Sequence, residues 1–212
     1  MGVYKLTYFN VKGRGEASRF VFAYAGVPYE DERIELTDWP DFKAKNADRL
    51  PWGNMPVLTL PNGQRLGQSR AIPRFLGKRF GLAGADDFES AQIDAVADAL
   101  EDLVVTVTPW LLSLGSGDAA KISKQKKKLD DAGTFDNALK RFEAMLSSNG
   151  SGWLVGKQVS WVDFSMAVWM DTYGSASPDI LKPYHELKAH VMRVHALPQL
   201  QVYLESRPKT QA

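Results

Sequence analysis

The chain contains no cysteine among its 212 residues. That excludes disulfides, thiolate-held zinc and any mechanism using the protein's own thiol, so any sulfur chemistry must arrive with a ligand. Charge of one sign is also missing in quantity: 26 Lys and Arg stand against 25 Asp and Glu, a formal net charge of +1. So even a balance lays down no broad basic field for nucleic acid or an anionic membrane. No run approaches the roughly 18 apolar residues of a membrane span. Met1 to Asn10 alternates apolar and polar residues where a signal peptide would carry an apolar core. Leu6 stands where a myristoylation signal needs Ser or Thr, and no C-terminal cysteine exists for prenylation. The expectation is a cytoplasmic protein with no membrane span, lipid anchor or nucleic-acid partner.

Histidine is scarce too, at three residues. His185 and His190 are five apart; five steps of about 100° turn the second ring away, where four would bring it back to the same face. No metal site is expected there, and the histidines read as surface or helix-end residues. The phosphate-cradling G-x-x-x-x-G-K-[ST] and nucleophile-elbow G-x-S-x-G motifs are absent, and Gly13-Arg14-Gly15 is too short to imply a nucleotide.

What is present is 44% apolar residues, enough for one large or two small domains with real cores. Val3 to Phe9 alternates as a strand, with Tyr4, Leu6 and Tyr8 on one face. Asn10 to Gly15 is a turn, and Ala17, Phe20, Val21 and Tyr24 recur at helical spacing until Gly26 and Pro28. Tyr29 to Leu36 is a second strand, and strand, helix, strand predicts a parallel unit. Thr37 or Asp38 can cap a short helix carrying Trp39 and Lys43. Val57, Leu58 and Leu60, the turn Pro61-Asn62-Gly63 and a return strand ending at Gly67 form a hairpin. Ser69 reads as the N-cap of the following helix, which fades between Gly77 and Gly84. From there helical periods dominate, so we expect domains at 1–79 and 86–212 with a linker at 80–85. Phe88 to Leu112 predicts a long helix broken near Pro109. The lysines of Lys121 to Lys128 are a solvated face, since no aromatics are interleaved. Helix continues from Leu129 to Leu146. Ser160 and Asp163 begin another helix with a capping box. Leu187 to His195 and Pro198 to Leu204 close the chain.

Three features point to chemistry. Pro56 in Met55-Pro56 cannot donate to a sheet ladder and can take the cis form, leaving Met55's backbone available to something extended. Gln68-Ser69 opens a helix start that can hold an anion. Together they predict a small peptide-like ligand with a carboxylate end. Tyr8 falls at the C-terminal end of its strand, where ligands of parallel units collect. A phenol donating to a bound sulfur favours thiolate over thiol, and Arg14 adds a permanent positive charge nearby.

The runs Y-K-L-T-Y-F-N-x-x-G-R-G-E, D-W-P-x-F-K, L-P-W-G-N-M-P-V-L, Q-S-R-A-I-P-R-F-L, D-A-L-E-D-L, S-W-V-D-F and L-P-x-L-x-x-Y-L-E-S-R-P, in this order over the whole chain, resemble a sigma-class glutathione transferase. The class includes glutathione-dependent prostaglandin D synthase and many invertebrate transferases. The resemblance implies a thioredoxin-like N-terminal domain with a mixed four-stranded sheet, an all-helical C-terminal domain and a two-fold homodimer. It implies that Tyr8 is the catalytic hydroxyl, with Arg14 near the thiol. Arg14, Trp39 and Lys43 would hold the glycyl end of glutathione, Met55 before cis-Pro56 the cysteinyl part, and Gln68 and Ser69 the γ-glutamyl carboxylate. Asp102 would reach the γ-glutamyl amine across the dimer. Asp98, Glu101 and Asp102 share a helix face, read here as pairing with interface arginines such as Arg70 or Arg74, with no metal. Phe9, Gly13, Val104, Trp110, Ser165 and Trp169 match or approach positions lining a pocket for an apolar electrophile. The implied activity is conjugation of glutathione, the co-substrate, to such electrophiles in detoxification, with hydroperoxide reduction available to the same thiolate. A non-catalytic carrier of hydrophobic ligands such as haem, and a glutathione-dependent prostaglandin isomerase, are the alternatives.

Overall fold

The computed structural model describes residues 2–210. The chain forms two compact units, Met1–Ala83 together with His195–Ala212, and Gly84–Val194.

In the first unit β1 (Tyr4–Phe9), α1 (Glu16–Ala25), β2 (Tyr29–Ile34), α2 (Trp39–Lys45), β3 (Val57–Thr59), β4 (Arg65–Gly67) and α3 (Ala71–Arg79) follow in order. The four strands make one mixed sheet in the order β2-β1-β3-β4. β1 runs parallel to β2 and antiparallel to β3, and β3 antiparallel to β4. This is a thioredoxin-like arrangement. β1 is central, and its alternation places Tyr4, Leu6 and Tyr8 in the core. Tyr4 packs against Phe22 of α1 at 5.4 Å between ring centroids and edge-on to Phe80 at 6.1 Å. Phe20 and Phe22 are fully buried, each contributing on the order of 2 kcal/mol. Gly26 ends α1 with φ +63°, a left-handed cap whose N–H returns to Phe22 and Ala23 carbonyls.

The second unit carries α4 (Asp87–Leu114), α5 (Ala119–Asp131), α6 (Thr134–Asn149) and α7 (Trp161–Ala176), with α8 (His185–His195) running to its boundary; α9 (Gln201–Ser206) follows in the first unit. α4 packs against α5, α6 and α7. α7 is apolar nearly all round, and Val162, Phe164, Met166, Ala167, Met170 and Tyr173 are all fully or almost fully buried, as a central helix requires. The Asp163 carboxylate accepts the Ser160 N–H at 2.8 Å, closing the expected capping box. Lys126 and Lys127 pair with Asp130 and Asp131 one turn on, so the lysine-rich face is a charge-paired helix surface. No helix among the described residues is long and apolar enough to cross a membrane.

Several local expectations are corrected. α4 continues through Pro109. The proline faces solvent, and only its missing N–H is lost, while Val107 and Trp110 on either side are buried and hold the helix. Leu129 to Leu146 is not one helix: Gly133, at φ +62°, separates α5 from α6. β2 stops at Ile34 because Leu36–Asp38 forms a 3₁₀ turn. Asp38 stands at the N-cap of α2, but its side chain makes no capping hydrogen bond and accepts the Thr37 hydroxyl instead. The N-cap of α3 is Arg70, since the Ser69 hydroxyl is engaged by Arg14. His190 is no surface residue. It is fully buried, with Nε2 2.9 Å from Asp163 Oδ1.

Candidate functional site

The site grows from the C-terminal end of β1. Tyr8 is 7% exposed, and two glycines make its place. A Cβ on Gly15 would stand 2.5 Å from Tyr8 Cδ1, and one on Gly13 3.0 Å from the hydroxyl. The turn then brings the Arg14 N–H to donate to the Tyr8 hydroxyl at 3.1 Å. Burial pushes the Tyr8 phenol above its ordinary pKa, against the Arg14 N–H and the charges of Arg14 and Arg19. The phenol therefore keeps its proton at neutral pH, and with a lone pair occupied by Arg14 it can still donate that proton to an incoming acceptor.

Arg14 Nη1 donates to Ser69 Oγ at 3.2 Å, joining the β1–α1 turn to the residues after β4. Met55-Pro56 is cis. Gln68 is the one non-glycine at positive φ among the described residues, at +79°. This left-handed backbone is worth about 1 kcal/mol of strain, held between β4 and α3. Phe9 stands edge-on to Trp39 at 5.4 Å, and Lys43 Nζ lies 5.5 Å above the Trp39 ring.

These pieces surround a cavity of about 330 Å³, within the usual range of about 300–1,000 Å³ for small-ligand sites. Arg14, Trp39, Met55, Pro56, Gln68 and Ser69 line it together with Phe9. Tyr8 and Lys43 are not on the wall; they connect to it through Arg14 and Trp39. The wall also includes Trp52 and Asn54, two residues the sequence reading did not assign to the ligand. Gly67 makes the room for Trp52: a Cβ there would meet Trp52 Cδ1 at 2.7 Å. Asn54 had a signal, since it directly precedes Met55-Pro56. A guanidinium, two carboxamides, a hydroxyl and two indoles suit an extended, hydrogen-bonding, anionic ligand of peptide size.

The remaining expected residues are dispersed. Gly13 touches Tyr8, as above. In the second unit Asp102 is exposed on α4, Val104 is fully buried, and Ser165 and Trp169 are half-buried one turn apart on α7. Trp110 borders a separate cavity of about 650 Å³ with Leu114, Ile122 and Lys126. Asp98, Glu101 and Asp102 form no ion cage. Among the described residues no group of three or more His, Asp or Glu side chains could hold a metal.

A thioredoxin-like unit with a cavity beside a cis-proline, followed in the chain by a helical unit, is the architecture that the resemblance to glutathione transferases implies. Comparison narrows it. The N-terminal domain of glutathione S-transferases matches residues 4–78, and their C-terminal domain residues 106–207. Glutathione S-transferase 1 of Ascaris suum is 37% identical over 213 residues, covering 99% of both chains. Hematopoietic prostaglandin D synthase of Gallus gallus is 38% identical over 210 residues, covering 98% of both. A monomeric glutathione S-transferase of the hookworm Necator americanus superposes with a TM-score of 0.88 at 32% identity, over 99% of this chain and 100% of that one. The chain belongs to the glutathione S-transferase family, enzymes with glutathione as co-substrate.

Proposed function

We propose that this transferase is of the sigma type and that Tyr8 and Arg14 are its thiol-activating pair. The glutathione-binding domain spans residues 1–79, and the helical domain 86–212 follows a linker at 80–85. Glutathione lies along the cavity with its glycyl carboxylate toward Trp39 and Lys43, its cysteinyl amides on the Met55 backbone and its γ-glutamyl carboxylate at Gln68 and Ser69. The thiol loses its proton to solvent, and the Tyr8 O–H donates to the thiolate while Arg14 supplies positive charge. Sulfur then forms a bond to an electrophilic carbon, and the electron pair leaves with the departing group. An apolar electrophile is the expected second substrate of this reading, and of the residues expected to face it Phe9 is the one that stands on the wall of the glutathione cavity. The observation that carries it is the buried, protonated Tyr8 hydroxyl, accepting from Arg14 and able to donate.

The test is the ultraviolet difference spectrum of the protein with and without glutathione, titrated with pH, for wild type and Tyr8→Phe. A thiolate band near neutral pH in wild type alone is expected. Glutathione bound without a band in either form would remove Tyr8 from its role and favour a carrier of hydrophobic ligands.

The same reading makes the protein a homodimer, supported by the exposed Asp102 and by Trp52 at 66% exposure. The Necator relative is monomeric, so light scattering at micromolar concentration discriminates. Detoxification in the cytoplasm, where glutathione is held reduced, is the physiological setting. The similarity to the chicken prostaglandin D synthase favours isomerisation of a prostaglandin endoperoxide as second reading, tested by product analysis on that substrate.

A further inference from the structure

The C-terminal residues return to the first unit and meet α1 beneath Tyr8. Glu16 is 1% exposed and Arg19 fully buried, so both charges need partners. Glu16 Oε2 accepts from Arg19 Nη1 at 3.0 Å and from the Tyr203 hydroxyl at 2.9 Å, and Oε1 accepts from Arg207 Nη1 at 2.8 Å. Arg19 spends its other donors on the main chain just past Tyr8. Nη2 reaches the Phe9 carbonyl at 3.3 Å and Nη1 the Val11 carbonyl at 2.7 Å, with Nε on Asp31 at 3.1 Å. Its guanidinium carbon stands 5.9 Å from the Tyr8 ring centroid. Arg19 thus grips the start of the turn whose Arg14 N–H reaches back to the Tyr8 hydroxyl.

Resting on the reading of Tyr8 as donor to the glutathione sulfur, we propose that Tyr203 and Arg207 are positioning residues for the Tyr8 hydroxyl, acting through Glu16 and Arg19. Both act at second hand. The charged and titratable groups facing Arg19 are Glu16 on its own helix, Tyr8 on β1, Asp31 and Tyr29 on β2 with Arg33 paired to Asp31, and Tyr203 from α9. Burial and the neighbouring Glu16 push the Tyr203 phenol up, so it remains a donor. Removing Arg207 leaves the buried Glu16 with one positive partner fewer, and that uncompensated negative charge disfavours a second anion at the sulfur. Removing the Tyr203 hydroxyl throws Glu16 onto Arg19, loosening Arg19's hold on Phe9 and Val11.

The experiment compares wild type with Tyr203→Phe, Arg207→Gln and the charge-keeping Arg207→Lys. Readouts are the thiolate absorbance of bound glutathione against pH, the pH dependence of kcat and KM, and the ¹³Cζ resonance of Tyr8 in the free protein, assigned with Tyr8→Phe. In Tyr203→Phe and Arg207→Gln the thiolate midpoint should rise by about half a pH unit or more. That is about a threefold loss of kcat below the midpoint, regained at higher pH. KM for glutathione should hold, the Tyr8 resonance should shift, and Arg207→Lys should restore most of the wild-type profile. A clear wild-type band with the same midpoint and Tyr8 resonance in the variants, whatever their melting temperature, overturns the proposal alone. A wild type with no thiolate band removes the role of Tyr8, and the proposal goes with it.

Discussion

The Tyr8 hydroxyl accepts the Arg14 main-chain N–H at 3.1 Å, while the Arg14 side chain turns the other way to donate to Ser69 Oγ at 3.2 Å. One residue therefore orients the phenol with its backbone and spans the cavity with its guanidinium. The phenol that results is buried, protonated and aimed by a hydrogen bond that leaves its own proton to give.

Tyr8→Phe removes that proton and little else. Turnover should fall roughly 10²-fold, the usual effect of deleting one preorganised donor to a developing anion. Glutathione affinity should stay within about twofold, because the cavity wall is unaltered. Steady-state kinetics with an aryl halide and calorimetric titration of glutathione separate the two. Equal losses in both would mean that the hydroxyl serves the binding of glutathione and not the thiolate in particular.

Gly15 tests the packing of the same phenol. Its φ of −89° suits any residue, so the demand for glycine comes from the Cβ position 2.5 Å from Tyr8 Cδ1. Gly15→Ala should lower stability by about 1–3 kcal/mol through overpacking and displace the hydroxyl, lowering kcat as well. Gly26→Ala is the control. Its φ of +63° with nothing near its Cβ should bring a loss of about 1 kcal/mol and leave kcat intact. Denaturation midpoints and turnover of the two variants should diverge in this way.

The features that were legible in the sequence were local. The alternation of Tyr4, Leu6 and Tyr8 gives a core face to β1, and Pro61-Asn62-Gly63 closes the β3–β4 hairpin. Met55-Pro56 is cis as its sequence allows. What was misread depends on partners distant in the chain. Ser69 looks like a helix cap until Arg14, 55 residues earlier, engages its hydroxyl. His190 looks exposed because its partner Asp163 lies 27 residues away. Trp52, in the turn before β3, joins the cavity wall because Gly67 on β4 leaves it space. Pro109 ends a helix by local rules, but the burial of Val107 and Trp110 outweighs one lost hydrogen bond.

Asp163 is a stability prediction of its own. Fully buried, it accepts from Leu154 N–H and His190 Nε2 through Oδ1, and from the Ser160 N–H and hydroxyl through Oδ2. Asp163→Ala would strand these donors in the interior, where each unsatisfied group is worth about 1–3 kcal/mol. Urea denaturation should register a loss above about 3 kcal/mol. A loss below about 1 kcal/mol would mean that water replaces the carboxylate.

Glu32 gives the pH dependence a sign. Its Oε2 accepts the Thr7 hydroxyl at 2.7 Å across the β1–β2 pair and is ion-paired with Arg49. Burial raises the carboxyl, but Thr7 and Arg49 outweigh it and hold its pKa below the ordinary value. A depressed folded pKa contributes stability that is complete above the unfolded value of about 4.3 and is lost as pH falls through the folded one. Glu32→Gln should therefore be less stable than wild type at pH 7, by about 1 kcal/mol as suits a partly exposed pair. The difference should close as pH drops below about 4, where wild type also loses its carboxylate. Urea midpoints at pH 7 and pH 3 measure it directly, and a gap that persists unchanged at pH 3 would place the effect in packing instead of charge.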